Sequence, residues 1–376
     1  MSATSAASSR PTGFVGSRTS SRGKVRAGCL ALASMAAFFS SFASAASGVV
    51  LEYHHVANDT PPSTSVTPAK FEAHMDHLAD NDFSIWPLPK LVETLREGGD
   101  VPERTVALTF DDAYASVYDE VFPRLQDRGW PFTVFVSTGS IDKGIDAYTS
   151  WDELRQMEAA GVTIANHSVD HAHMVAQGDR DRREWLEDAR ANIVDAQARL
   201  NEELESPARL FAWPFGEFSP PLQRLLADLD YVGFGQQSGA VGPDSDFTAL
   251  PRFPLATGFD SLDSFALKVR SRPLPVAEAE PASGVLGPDA ERPVLNLTLE
   301  EGPYRPETVR CYIGGGPAET EIDESMPATL RVRPTEALGT GRTKINCTAP
   351  ATDGDQWFWY SYVWMKPNPD GTWYSD

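Results

Sequence analysis

Val106-Ala107-Leu108-Thr109-Phe110-Asp111-Asp112 is an apolar run suited to a buried strand, and it ends on two adjacent carboxylates. Carboxylates placed side by side repel each other, so one of them needs a partner, either a metal ion or a cation. Further along, His167-Ser168-Val169-Asp170-His171 offers two imidazoles four positions apart. One carboxylate and two histidines make a three-ligand site with room for water, the usual layout of a catalytic zinc. The second carboxylate is then free to act as a base.

On both sides of this run, short apolar segments alternate with helical patterns. Strands are predicted over 48–56, 105–110, 132–136, 162–165, 210–213 and 231–234. Helices are predicted from Thr67-Pro68, with Phe71, Met75 and Leu78 on one face, from Leu88 to Gly98, around Val117 to Leu125, and over 151–160, 182–204 and 220–229. Such alternation argues for a parallel sheet covered by helices, and the number of units favours a complete or partial β/α barrel over an open sheet. Chemistry in such barrels sits at the C-terminal ends of the strands. Asp111-Asp112, Asn166-His167 and Pro214-Phe215 all fall at predicted strand ends.

The pattern changes after residue 270. Arg272-Pro273, Leu274-Pro275, Glu280-Pro281 and Gly287-Pro288 punctuate a stretch poor in apolar residues, so 271–292 reads as a linker between a 46–270 catalytic domain and a 293–376 accessory domain. In the accessory domain, short alternating runs predict a small all-β domain of sandwich type. Cys311 and Cys347 both lie in it and suggest one disulfide, with two buried free thiols as the alternative. Its aromatics, among them Trp357, Trp359, Trp364, Trp373 and Tyr374, invite a glycan-binding reading. Strand alternation sends about half of them inward, which favours core packing with some exposed rings.

Residues 1–45 read as a signal peptide: five basic residues without an acidic one, an apolar stretch from Cys29 to about Phe42, and a small-residue cleavage site at Ala43-Ser44-Ala45. The apolar segment is short for a membrane span, although an uncleaved signal-anchor is an alternative. The expectation is a periplasmic or extracellular protein with no stable span after cleavage. Removing the five positive charges takes the formal charge of the 376-residue chain from −21 to −26. Such a surface repels phosphates, so nucleic acid is not an expected partner.

Together with Trp213-Pro214-Phe215-Gly216-Glu217, the two motifs occur in the order found in polysaccharide deacetylases, and residues 48–265 resemble the NodB-type domain of that family. Tyr53-His54, Asp111-Asp112-Ala113-Tyr114 and Pro214-Phe215-Gly216-Glu217-Phe218 look like the exported deacetylases of poly-β-1,6-N-acetylglucosamine. The resemblance implies a hydrolase that removes N-acetyl groups from an N-acetylglucosamine-containing polysaccharide and releases acetate. It implies one divalent metal ion, zinc first and cobalt or nickel as alternatives, on Asp112, His167 and His171. It also implies Asp111 as general base, His54 as general acid and the Phe215 N–H as oxyanion donor.

Two positions depart from the family pattern. The arginine that usually stands two residues before the third-motif proline is Ala212 here, and the usual tyrosine is Phe215. No histidine follows His173, which puts weight on His54 as the acid, with His55 as its rival. Asp170 and His173 read as local hydrogen-bonding residues, and His74 and His77 as solvated. Two other functions stay open at this point. One is an O-acetyl polysaccharide esterase. The other is a glycan-binding protein whose barrel has lost activity, to which Ala212 points.

Overall fold

The structure is a computed structural model that describes residues 46–325 and 327–375, with Gly13 and Gly16; the expected signal segment otherwise lies outside the described residues. Strands Gly48–Tyr53 and Thr105–Phe110 are buried along their whole length, as strands of a sheet covered on both faces must be. They pair in parallel, from Val49 opposite Val106 to Tyr53 opposite Phe110. The sheet continues in parallel through Thr133–Val136, Thr163–Asn166, Ala208–Ala212 and Val232–Phe234. It curls into an incomplete barrel with helices outside, the fold class expected from the alternation.

Residues 250–254 run along the seam between the first and last of these strands. Leu250 bridges Phe234 on one side, and Phe253–Pro254 pair in parallel with Leu51 and Glu52 on the other. This segment was not among the predicted strands, and it carries Arg252 into the barrel.

The helices begin where their capping chemistry allows. Thr67 Oγ1 accepts the Lys70 N–H at 3.3 Å and Pro68 opens helix Pro68–Asp80. A reciprocal Ser150/Glu153 capping box starts Trp151–Ala159. The long helix Arg182–Glu203 is tied to the sheet by Asn166 Nδ2, which donates to the Ile193 carbonyl at 2.9 Å. Strand 48–56 is a correction: it stops at Tyr53, and His55–Val56 form a separate short strand with Ser65–Val66. His74 is a second one. It is 1% exposed, stacked on Phe265 at 4.1 Å and hydrogen-bonded to Tyr53 Oη and the Asp260 carbonyl, so it belongs to the core.

The accessory domain is a two-sheet sandwich. One sheet orders Arg272–Pro273, Trp357–Lys366, Gly341–Pro350, Arg310–Ile313 and Gly316–Pro317. The other orders Val276–Glu280, Leu295–Leu299, Ala328–Arg333 and Glu319–Asp323. Cys311 and Cys347 lie opposite each other in register and are disulfide-bonded. The 271–292 stretch is not a free linker: Arg272–Pro273 and Val276–Glu280 are strands of the two sheets. Val276–Glu280 is an edge strand, and edges tolerate the acidic, proline-flanked sequence that masked it. The sandwich packs on the barrel through Trp359, edge-on to Phe253 at 5.1 Å, and through Lys344 Nζ, which donates to the Gln236 carbonyl at 2.7 Å.

Candidate active site

The chain leaves the Thr105–Phe110 strand in a way that separates the two carboxylates. The Asp111 N–H still donates to the Tyr53 carbonyl at 2.9 Å, which extends the ladder by one residue. Asp112 and Ala113 then take positive φ angles of 69° and 57°. Ser168, His171 and Phe215 do the same at 70°, 53° and 58°. These five are the majority of the eight left-handed non-glycine residues among those described. Left-handed backbone in residues with a Cβ is costly, and its clustering marks a functional site.

Asp112 turns towards the histidines. Its Oδ1 lies 3.4 Å from His167 Nε2 and 3.4 Å from His171 Nε2. One ligand atom from each of the three residues falls within 4.8 Å of the others. His167 Nδ1 is 2.8 Å from the Ala212 carbonyl, which can only accept, so Nδ1 carries the proton and Nε2 presents its lone pair. That Nε2 is buried without a hydrogen-bond partner. Burial disfavours a charged His167, yet Asp112 and Asp111 outweigh it and raise its affinity for a proton. Burial, then the neighbouring His167, lowers His171 to about 4. An orphaned nitrogen, a second imidazole kept neutral and a carboxylate within reach of both fit a divalent cation.

Asp111 turns the other way, to Arg252 on the seam. Nη1 donates to Oδ1 and Nη2 to Oδ2, both at 2.6 Å, and all of these groups are fully buried. The guanidinium is fixed by the Gly235 carbonyl at 2.9 Å and Thr109 Oγ1 at 3.2 Å. Burial alone would push the Asp111 carboxyl up; Arg252 and then His167 outweigh it and hold the group below the usual carboxylate range. Glu52, also fully buried, lies 3.6 Å from the same guanidinium, and neither of its oxygens has a hydrogen bond. Burial raises its pKa against the pull of Arg252, so of the two acids it is the one that tends to hold a proton.

Arg252 and Glu52 were missed in the sequence. The available signals were an acid inside Val49-Val50-Leu51-Glu52-Tyr53 and an arginine inside Leu250-Pro251-Arg252-Phe253-Pro254. Charges in buried segments are paired, so each required the other or a third partner.

The break after Tyr53 separates the two candidate acids. His54 Nε2 is 3.8 Å from Glu52 Oε1, and His54, Glu52 and Asp111 bring ligand-type atoms within 4.8 Å of one another. His55 is stacked on Tyr114 at 3.6 Å, and burial lowers its pKa to about 4. Asp170 is a local acceptor, as expected, bonded by Asn192 Nδ2 at 2.6 Å. Phe215 opens the remaining side, its ring 4.3 Å from that of His171 and stacked on His173 at 3.9 Å. Gly216 follows with φ 67°, where a Cβ would meet the Gln236 Cβ at 2.5 Å. Ala212 contributes only its carbonyl.

Residues 98–234 match the family model described as Polysaccharide deacetylase. A poly-beta-1,6-N-acetyl-D-glucosamine N-deacetylase of Staphylococcus epidermidis is 25% identical over 228 residues, 55% of this chain and 78% of that protein. The protein of the same name from Escherichia coli K12 is 24% identical over 263 residues, 59% of this chain and only 38% of that longer protein. Among solved structures, the Streptococcus pyogenes deacetylase PplD in complex with acetate shares the fold with a TM-score of 0.54 at 19% identity, over 60% of this chain and 99% of that one.

Proposed function

We propose that this chain, whose residues 98–234 match the Polysaccharide deacetylase family model, is a metal-dependent hydrolase that removes N-acetyl groups from an N-acetylglucosamine-containing polysaccharide. The observation that carries the reading is the division of the adjacent aspartates, Asp112 towards two histidines and Asp111 onto Arg252. The Staphylococcus and Escherichia relatives, named for poly-β-1,6-N-acetylglucosamine, support that substrate class. The Cys311–Cys347 disulfide supports an exported protein.

Asp112, His167 and His171 would hold a divalent cation, zinc first by this donor set, which when bound would supply Lewis acidity towards the acetyl carbonyl and water. The chain's own residues do the rest. Asp111, kept ionised by Arg252, accepts the proton of the water that attacks the acetamide carbon. The Phe215 N–H donates to the oxyanion as it develops. His54 protonates the amine nitrogen as the C–N bond breaks, because an amine leaves poorly without its proton. The products are acetate and a free amino sugar.

Acetate release from N-acetylglucosamine oligomers and from acetylated xylan, with and without zinc, cobalt or nickel, tests this. Metal-dependent release from the N-acetylglucosamine oligomers is expected. Release from xylan alone would make the enzyme an O-acetyl esterase, and release from neither would leave a glycan-binding protein.

A further inference from the structure

We propose that the C-terminal domain positions the oxyanion loop of the active site by clamping Glu217, which makes Glu217, Trp373 and Tyr374 positioning residues for the reaction; this rests on the deacetylase reading above. Glu217 lies two residues after Phe215 and is 1% exposed. A carboxylate so buried needs donors, and among the described residues the barrel supplies His173 Nδ1, at 2.9 Å from Oε2. The accessory domain supplies Tyr374 Oη, donating to Oε1 at 2.5 Å, Trp373 Nε1, donating to Oε2 at 3.2 Å, and Arg342, with Nη1 3.6 Å from Oε1.

The same groups brace the Phe215 ring. His173 stacks on it at 3.9 Å with planes 14° apart, and the Arg342 guanidinium lies 5.1 Å from its centre. Phe215 has φ 58° and ψ 7°, a conformation its own backbone disfavours and its surroundings must hold. Rotation of that residue into the right-handed region would reorient the loop that carries the proposed oxyanion donor. The clamp opposes this rotation from outside the catalytic domain. The accessory aromatics Trp373 and Tyr374 therefore act on catalysis through Glu217.

The test compares the full chain with Tyr374→Phe, Trp373→Phe and Glu217→Gln. Acetate release from N-acetylglucosamine oligomers gives kcat and KM, 4-nitrophenyl acetate serves as an ester with the same oxyanion, and zinc affinity and melting temperature are measured in parallel. Tyr374→Phe and Glu217→Gln should each lower kcat by roughly tenfold to a hundredfold on both substrates, with KM and zinc affinity held within about twofold. Trp373→Phe, which removes the weaker donor, should lower kcat less. Variants that melt earlier but keep the wild-type kcat would overturn the clamp, as would a loss confined to the amide. A wild-type chain that releases no acetate would overturn the functional reading, whereas an active wild type beside variants of unchanged kcat would overturn the clamp alone.

Discussion

Arg252 grips Asp111 through two parallel 2.6 Å hydrogen bonds across 141 residues of sequence. The pair answers the repulsion between Asp111 and Asp112, because each aspartate has its own partner, a guanidinium for one and the two histidines of the candidate metal site for the other. It also fills the gap left at Ala212 from another part of the fold. The seam segment at 250–254 delivers the side chain that the third motif lacks, while Ala212 keeps a backbone role as acceptor for His167.

Arg252→Lys keeps a positive charge but cannot make the paired bonds. Burial then weighs more heavily on Asp111, whose pKa rises from its depressed position. A base must be ionised to act, so the acid limb of the kcat/KM profile should move to higher pH, with kcat at its plateau reduced roughly tenfold or more. The pH profile of purified variant and wild type checks this; an unmoved acid limb would contradict the role given to Arg252. Arg252→Met is a poorer probe, since it strands two buried carboxylates and should destabilise the fold by about 3–5 kcal/mol.

His54 and His55 should separate cleanly. His54 faces Glu52 and Asp111, so His54→Ala should lower kcat on the amide roughly a hundredfold or more and spare metal binding. His55 is stacked on Tyr114, so His55→Ala should lower the unfolding free energy by about 1 kcal/mol and change kcat only a few-fold. Steady-state kinetics beside urea melts distinguish the two outcomes.

His74 predicts a pH dependence of stability. Burial lowers its pKa from 6.5 to about 4, so the unfolded chain binds the proton more readily than the folded one. Stability contributed by neutral His74 is complete above about pH 6.5 and is lost as pH falls towards 4, by about 3 kcal/mol at the limit. His55 and His171 are lowered too, so the comparison must be internal. Urea unfolding at pH 7 and pH 4.5 should show a smaller drop for His74→Gln than for wild type.

The sequence carried the barrel because its strands are continuous apolar runs and its helices begin at caps such as Thr67-Pro68, signals local to each element. Asp112 and His167 were legible for the same reason, each standing beside a predicted strand end, and His171 was legible from its place four residues after His167. Arg252 and Glu52 were not, because their pairing is non-local and their segments read as ordinary core strand and loop. The same limit hid the Val276–Glu280 strand, whose partner Leu295–Leu299 gives it a place that its prolines and acids do not advertise. His54 and His55 could not be assigned by alternation, since the strand that would impose it ends at Tyr53.

The central claim is that neighbouring aspartates divide the work, Asp112 for the metal and Asp111 for the proton. Zinc titration by calorimetry of Asp111→Asn and Asp112→Asn, with acetate release read on the same samples, tests it most directly. The account predicts that Asp111→Asn takes up one zinc with near wild-type affinity yet releases no acetate, whereas Asp112→Asn loses the zinc. Turnover by Asp111→Asn, or undiminished zinc binding by Asp112→Asn, would contradict it.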